Sequence, residues 1–346
     1  MTCELAHEID ICIETRQPFA VYRMPYEQEV HFVKSGLCEV VADLDELDRC
    51  AKEGFVISPF ELNGDLPIVF ISEEATEQDV FPICDPDRVS CDISFEEYKT
   101  VLSTFKECIT DGLVDKLVLS RSTSIPRNDK SLGQIYAEAV RKYPRMMIYL
   151  CQTPHTGIWM GCSPEILVEG SRGSWRTVAL AGTKPYAEDV EWDNKNRSEQ
   201  HFVELFIEKR VSRLGTVIDK HGPYTSRAGH LAHLRTDYFF TTPDNVGIGT
   251  IAKHLHPTPA VCGLPQKEAL DIIRRHEPID RQYYSGFVGV VGKESRLFVN
   301  LRCVKVSTDK LTFFAGGGIL STSEPESEWW ETEAKMATLR NLFDNE

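Results

Sequence analysis

Nowhere in the 346-residue chain do eighteen apolar residues run together, so no segment is long enough to cross a bilayer as a helix. The opening residues 1–10 also lack the basic and apolar stretches of a secretion signal, and the expected location is the cytoplasm. Positive charge is scarce: 38 Lys and Arg stand against 53 Asp and Glu, for a net charge of −15. That balance excludes a nucleic-acid partner and an anionic membrane surface, and any anionic ligand must be met by a local basic pocket. The eleven cysteines include no Cys-x-x-Cys pair. Their odd number and scatter, with Cys84, Cys108, Cys151, Cys262 and Cys303 in apparent strands and helices, point to reduced thiols and away from a zinc site or disulfide framework. The pairs His230/His233 and His254/His256 have no acidic residue at a metal-site spacing and read as structural or surface groups. Internal repeats, low-complexity tracts and flexible linkers are absent as well, which leaves one compact α+β unit.

What is present suits a large core, with 42% hydrophobic residues. Strand-like runs at residues 19–22, 30–33, 54–57 and 68–72 carry no cluster of reactive side chains, so the first ninety residues read as scaffold. Ser94 is the expected N-cap of a helix whose apolar residues Phe95, Tyr98, Val101, Leu102 and Phe105 recur at helical spacing to about Gly112. The strand 115–121 follows, with one interior lysine, Lys116, which is either a snorkelling edge residue or a residue placed for its chemistry. A helix over about 132–142 leads to an antiparallel meander through 146–150, 156–161, 165–169 and 177–181. Within it Glu165 is either an ordinary solvent-facing strand residue or an acid–base group. Residues 222–242 read as a polar connector, 255–265 as a proline-rich bend into a helix at 266–276, and 286–291 and 296–306 as two strands.

The most informative stretch is 313–335, read as a strand, a glycine turn and a helix start. At about 100° per residue, Glu328, Glu331 and Lys335 share a stripe with Leu339, Leu342 and Phe343. Two carboxylates thus head a face expected to be buried, where they are costly unless protonated, paired or bound to a metal; a frayed first turn that favours acids is the simpler alternative. The helix from Asn194 repeats the arrangement, with Lys195 and Glu199 leading Phe202, Val203, Phe206 and Ile207. The repetition favours a shared cation, and three carboxylates suit Mg²⁺, a hard ion that keeps much of its own water. Gly316, Gly317 and Gly318 either form a turn or clear space for a backbone to approach an anionic ligand.

Eight motifs occur in order: Lys116-Leu-Val-Leu-Ser-Arg121, Gly161-Cys-Ser-Pro-Glu165, Ala179-Leu-Ala-Gly-Thr183, Lys195-Asn-Arg-Ser-Glu199, His256-Pro-Thr-Pro-Ala260, Leu301-Arg-Cys303, Phe314-Ala-Gly-Gly-Gly-Ile319 and Glu328-Trp-Trp-Glu-Thr332. Together they resemble the chorismate-utilising enzymes over about residues 94–343. The resemblance implies an α+β fold of two large antiparallel β-sheets with flanking helices and the active site between them. It makes 94–346 the chorismate-binding catalytic region and 1–93 an N-terminal scaffold region of the same fold.

Within that family the pattern is most similar to isochorismate synthases, which add water at C2 of chorismate as the C4 hydroxyl leaves. The 257–260 segment, Pro-Thr-Pro-Ala, is typical of this water-adding branch. By the resemblance Lys116 is the base and Glu165 the acid, whose pKa must then be raised. Glu199, Glu328 and Glu331 are implied as ligands of Mg²⁺, Tyr284 and Arg302 as holders of the enolpyruvyl carboxylate, and Gly182, Thr183, Ala260, Gly318 and Lys335 as further substrate contacts. Asn196 and Gln200 depart from the family, where an acid and a histidine are usual. The resemblance implies chorismate as the small-molecule partner, no obligatory glutaminase, and a monomer or weak homodimer, with isochorismate made for menaquinone or catecholate siderophores. Salicylate synthase, or a non-catalytic chorismate-binding subunit, are its alternatives.

Overall fold

A computed structural model describes residues 3–35, 38–49, 52–62, 64–73, 91–187, 189–228 and 231–344. The side chains of Thr183, Lys195, Ala228 and Leu231 lie outside that description, as do His230 and Cys84. The chain opens with α1 (Cys3–Glu14), β1 (Phe19–Arg23), β2 (His31–Lys34) and β3 (Glu39–Val41). A short α2 (Asp45–Arg49) precedes β4 (Gly54–Ser58), β5 (Ile68–Ile71) and α3 (Phe95–Thr110). Then come β6 (Lys116–Pro126), α4 (Leu132–Lys142) and the meander β7 (Met147–Thr153), β8 (Gly157–Ser163), β9 (Ile166–Ser171) and β10 (Ser174–Pro185). After α5 (Asn194–Leu214) follow β11 (Thr216–Ala228), β12 (Leu231–Thr241), α6 (Ile248–Leu255), β13 (Gly263–Leu264) and α7 (Gln266–His276). The chain ends with β14 (Phe287–Val291), β15 (Ser295–Val299), β16 (Cys303–Val306), β17 (Lys310–Ile319) and α8 (Pro325–Phe343).

Local chemistry accounts for several boundaries. Ser94 caps α3 in a reciprocal box, its Oγ accepting from the Glu97 N–H while the Glu97 carboxylate takes the Ser94 N–H at 2.7 Å. Asp193 caps α5 by accepting the Asn196 N–H at 2.9 Å. Pro325 starts α8, where a missing N–H costs nothing.

The strands form two antiparallel sheets, ordered β13-β6-β17-β16-β8-β7-β1-β2 and β11-β12-β10-β9-β15-β14-β4-β5-β3. Their inner faces meet in one core, Leu117, Tyr149 and Trp159 from the first packing with Phe55, Val288 and Phe298 from the second. Helices cover both outer faces. Ile9 of α1, Tyr136 of α4 and Leu339 of α8 pack on the first sheet, and Val203 of α5 and Ile251 of α6 on the second. Among the described residues no helix is long and apolar enough to cross a membrane, and the nine described cysteines are free.

Three sequence expectations are corrected here. The segment read as a connector is none: residues 222–228 lie in β11 and 231–241 in β12, a ribbon at one edge of the nine-stranded sheet. β11 reads as polar because its side chains are largely exposed at that edge, while β12 buries polar groups that are bonded, such as Asp237 beneath Arg176, Arg235 and Tyr224. The glycines 316–318 form no turn either, but continue β17 in register with Ser120, Leu119 and Val118 of β6. Residues 296–306 are two strands, because the Asn300 side chain takes the Tyr149 hydroxyl at 2.7 Å and donates to the Tyr283 carbonyl at 2.8 Å, and the chain changes sheet there.

Candidate active site

Two of the chain's passages between the sheets lie side by side, from β8 to β9 and from β15 to β16. Glu165 lies at the first crossing and Arg302 at the second, and the crossings are stitched together. The Val299 N–H donates to the Glu165 carbonyl at 2.9 Å, the Cys162 N–H to the Arg302 carbonyl at 3.1 Å, and Ser163 Oγ to the Val299 carbonyl at 2.6 Å. Arg302 holds φ at 48°, a strained conformation for a long side chain, which the crossing imposes. Glu165 is therefore in the inter-sheet space and not on a solvent-facing strand. Burial pushes its carboxyl up to about 7, with Lys116, Lys335 and Arg302 pulling the other way.

Lys116 opens β6, between β13 and β17, and is only 2% exposed, which rules out the snorkelling edge alternative. The facing glycines make room for it. A Cβ on Gly318 would stand 2.8 Å from Glu199 Oε1 and 2.9 Å from Lys116 Cε, and one on Gly317 3.0 Å from Glu328 Oε2. Gly182, at φ +67°, would bring a Cβ within 3.0 Å of Asn196. Glycine is required here by close packing of functional side chains.

Three carboxylates approach from two helix starts. Glu199 Oε2 accepts the Gly182 N–H at 3.2 Å, Glu328 Oε1 accepts from Ser323 Oγ at 2.7 Å, and Glu331 Oε1 pairs with Lys335 Nζ at 2.8 Å. Lys335 also donates to the Gly316 carbonyl at 2.8 Å. Glu199 and Glu331 line the inter-sheet cavity, whereas Glu328 is buried behind Gly317. The donor set fits a hard cation in type, being all carboxylate oxygen. Among the described residues, however, no three such side chains are gathered as one ligating group, and Lys335 holds Glu331.

The cavity itself is about 90 Å³ and is lined by Lys116, Glu165, Gly182, Glu199, Ala260, Tyr284, Arg302, Gly318, Glu331 and Lys335. The side chain of Thr183 is outside the described set. The Tyr284 ring stacks on Phe314 with centroids 5.5 Å apart, and burial raises its hydroxyl to about 12. Burial also brings the Arg302 guanidinium down to about 10, still cationic at neutral pH. Arg302 and Lys335 thus supply the local positive charge that a chain of net −15 needs to hold an anion. A more open cavity of about 580 Å³ adjoins this one, sharing Pro164, Leu180 and His233.

His233 is a cavity residue that sequence reasoning set aside as structural or surface. It sits on β12, in the stretch read as a connector; the signal that could have found it is the apolar run of residues 238–240, which marks a buried strand. Burial, then Arg302 and Lys335, push it down to about 3, so the ring is neutral. Its Nδ1 lies 2.9 Å from the Gly182 carbonyl and must carry the proton, leaving the Nε2 lone pair toward Arg302 at 3.5 Å. Of the histidines grouped with it, His256 is buried, with Nε2 2.8 Å from the Phe60 carbonyl. Gln200, noted above as a departure from the family pattern, is buried and donates to the Ala179 carbonyl at 3.2 Å and Thr236 Oγ1 at 3.0 Å.

Known proteins are similar to this chain in sequence and in fold. Isochorismate synthase MenF of Escherichia coli is 33% identical over 255 residues, 69% of this chain and 58% of that protein. The salicylate biosynthesis isochorismate synthase of Pseudomonas aeruginosa is 29% identical over 260 residues, 71% of this chain and 54% of that protein. The chain thus spans less than two thirds of the length of either. The solved structure of MenF, the menaquinone-specific isochorismate synthase from Escherichia coli, has the same fold, with a TM-score of 0.79 at 22% identity over 94% of this chain and 89% of that one. The family model described as chorismate binding enzyme matches residues 73–344, and the chain belongs to that family.

Proposed function

We propose that the chain is an isochorismate synthase, converting chorismate to isochorismate. The observation that carries this reading is a buried amine and a buried carboxyl, Lys116 and Glu165, lining one small cavity in which the carboxyl keeps its proton up to about pH 7. Lys116 Nζ takes a proton from water as the water oxygen bonds to C2. The ring electrons shift and the C4–O bond breaks. Glu165 gives its proton to the departing hydroxyl, so one water enters and one leaves. Arg302 and Tyr284 hold the enolpyruvyl carboxylate, the arginine offering paired N–H donors. Gly182, Thr183, Ala260, Gly318 and Lys335 supply the remaining substrate contacts. His233 keeps Arg302 in place through its Nε2. Glu199, Glu328 and Glu331 would hold Mg²⁺, which when bound supplies positive charge for the ring carboxylate and orients the ring. Residues 1–93 act as scaffold for the catalytic region 94–346, in the cytoplasm, without a glutaminase partner.

The test is to incubate purified protein with chorismate, with and without Mg²⁺, and resolve chorismate, isochorismate, salicylate and pyruvate by chromatography. Mg²⁺-dependent isochorismate without pyruvate is expected. Stoichiometric salicylate and pyruvate would move the protein to the salicylate synthases, and tight chorismate binding without turnover would make it a binding subunit.

A further inference from the structure

Three of the cavity's walls come from segments far apart in the chain: β6 with Lys116 and Val118, the bend before β13 with Ala260 and Val261, and the turn after α7 with Tyr284. One ion pair that does not line the cavity reaches all three. Glu277 ends α7, and its carboxylate accepts Arg281 Nε–H at 2.5 Å on one oxygen and a terminal Arg281 N–H at 2.7 Å on the other. Both side chains are enclosed, 3% exposed for the arginine and 2% for the glutamate. The guanidinium lies over the Phe60 ring, 4.3 Å from its centroid, and two further N–H groups run outward. They donate to the Val118 carbonyl at 2.9 Å and to the Val261 carbonyl at 2.7 Å. Glu277 Oε2 also accepts the Ser120 N–H at 2.8 Å, and the Arg281 carbonyl accepts the Tyr284 N–H at 2.8 Å. The turn needs that hold, since Gln282 and Ser285 have φ of 51° and 62°, a conformation that side chains rarely adopt.

Burying two charges has a desolvation cost that their attraction barely returns, and an apolar pair of similar volume often serves stability as well. An apolar pair cannot, however, bond separate backbone segments at distances fixed by a rigid planar guanidinium. We propose that Glu277 and Arg281 are positioning residues, a planar junction that sets the spacing between the Lys116 strand, the Ala260 bend and Tyr284, and with it the placement of the substrate ring between base and acid. The inference rests on reading the cavity as a chorismate site, and neither residue touches the substrate.

The test compares Arg281→Lys and Glu277→Gln with the parent for kcat, KM, pH–rate profile and melting temperature, the assays being run well below the lowest melting temperature. Lysine keeps the charge but cannot bond two carbonyls and a carboxylate in one plane, and glutamine keeps the shape without the charge. Arg281→Lys is expected to lower kcat about tenfold or more, because misplacement on the order of an ångström is felt in the chemical step. Its KM should change by about threefold or less, since Arg302 and Lys335 still hold the substrate. Glu277→Gln should lower kcat by a smaller factor, and it decides the question alone if Arg281→Lys does not fold. In both variants the fall in activity above about pH 7 should stay where Glu165 sets it, as neither residue exchanges a proton with substrate. Parental kcat and KM in folded variants, whatever their melting temperatures, overturn the inference and leave the pair a stability element. A displaced pH limb overturns it as well, by making Glu277 part of the proton transfer. An unsubstituted protein that does not convert chorismate overturns the parent reading and this one together.

Discussion

Replacing Glu165 by glutamine is expected to stabilise the protein above neutrality while removing turnover. Burial holds the Glu165 carboxyl up to about 7, against an ordinary value of 4.5. Below pH 4.5 the group is protonated in folded and unfolded chains alike and stability is unaffected. As pH rises the unfolded chain ionises first, so the folded state loses stability progressively until the folded carboxyl also ionises near pH 7. The loss is then complete, at about 3 kcal/mol. Glutamine stays neutral throughout and escapes it. For a chain of this length that corresponds to a melting temperature higher by about 4 °C at pH 8, and by about two fifths as much at pH 5.5. Differential scanning fluorimetry of both proteins at the two pH values reads the effect directly. An equal shift at both pH values, or a lower melting temperature at pH 8, would refute the argument that burial governs this carboxyl. In the chorismate assay the same variant should lose about 10²-fold or more in kcat, and the unsubstituted enzyme should lose activity above about pH 7 as its acid ionises.

Lys116→Ala should lower kcat by about 10²-fold or more with little change in melting temperature, and undiminished water addition would remove Lys116 as the base. Glu331→Gln should weaken Mg²⁺ dependence and activity together, read by titrating the ion against rate; an unchanged titration would take Glu331 out of the ligand set. Gly318→Ala places a Cβ against Glu199 and Lys116, and should cost activity more than tenfold, a loss that normal kinetics in a folded variant would contradict. Arg281→Ala leaves Glu277 buried without its cation and should destabilise by about 3–5 kcal/mol in urea unfolding. A change under about 1 kcal/mol would mean that water reaches the pair.

Much of the site was legible because its residues sit on regular elements. The stripes headed by Glu328 and Glu331 on α8 and by Glu199 on α5 follow from helical periodicity, and Glu328, Leu339, Leu342, Glu199, Val203 and Ile207 are indeed buried. The alternatives for Lys116 and Glu165 could not be closed that way, since a lysine in a strand and a glutamate beside one have the same local pattern whether exposed or enclosed. His233 was lost because a strand that buries bonded polar groups looks, residue by residue, like a solvent-exposed linker. Gly316 to Gly318 misled for the opposite reason: glycine signals turns locally, whereas here its lack of a side chain answers to groups far away in the chain.

The sequence by itself determined five of the eight helices among the described residues and most strands, the two carboxylate-bearing helix starts, the need for a local basic pocket in an acidic chain, and the family through eight ordered motifs. Those features depend on neighbours a few residues apart, through periodicity, caps and charge. Only the tertiary structure decided that the chain crosses between sheets at Glu165 and at Asn300 to Arg302, which puts acid and guanidinium in the space between two layers. It also decided that Lys116 is enclosed, that His233 is neutral beside Arg302, and that Glu277 and Arg281 reach three walls of the cavity. Burial and proton affinity at each of these positions are set by groups brought in from distant segments, and no local pattern encodes them.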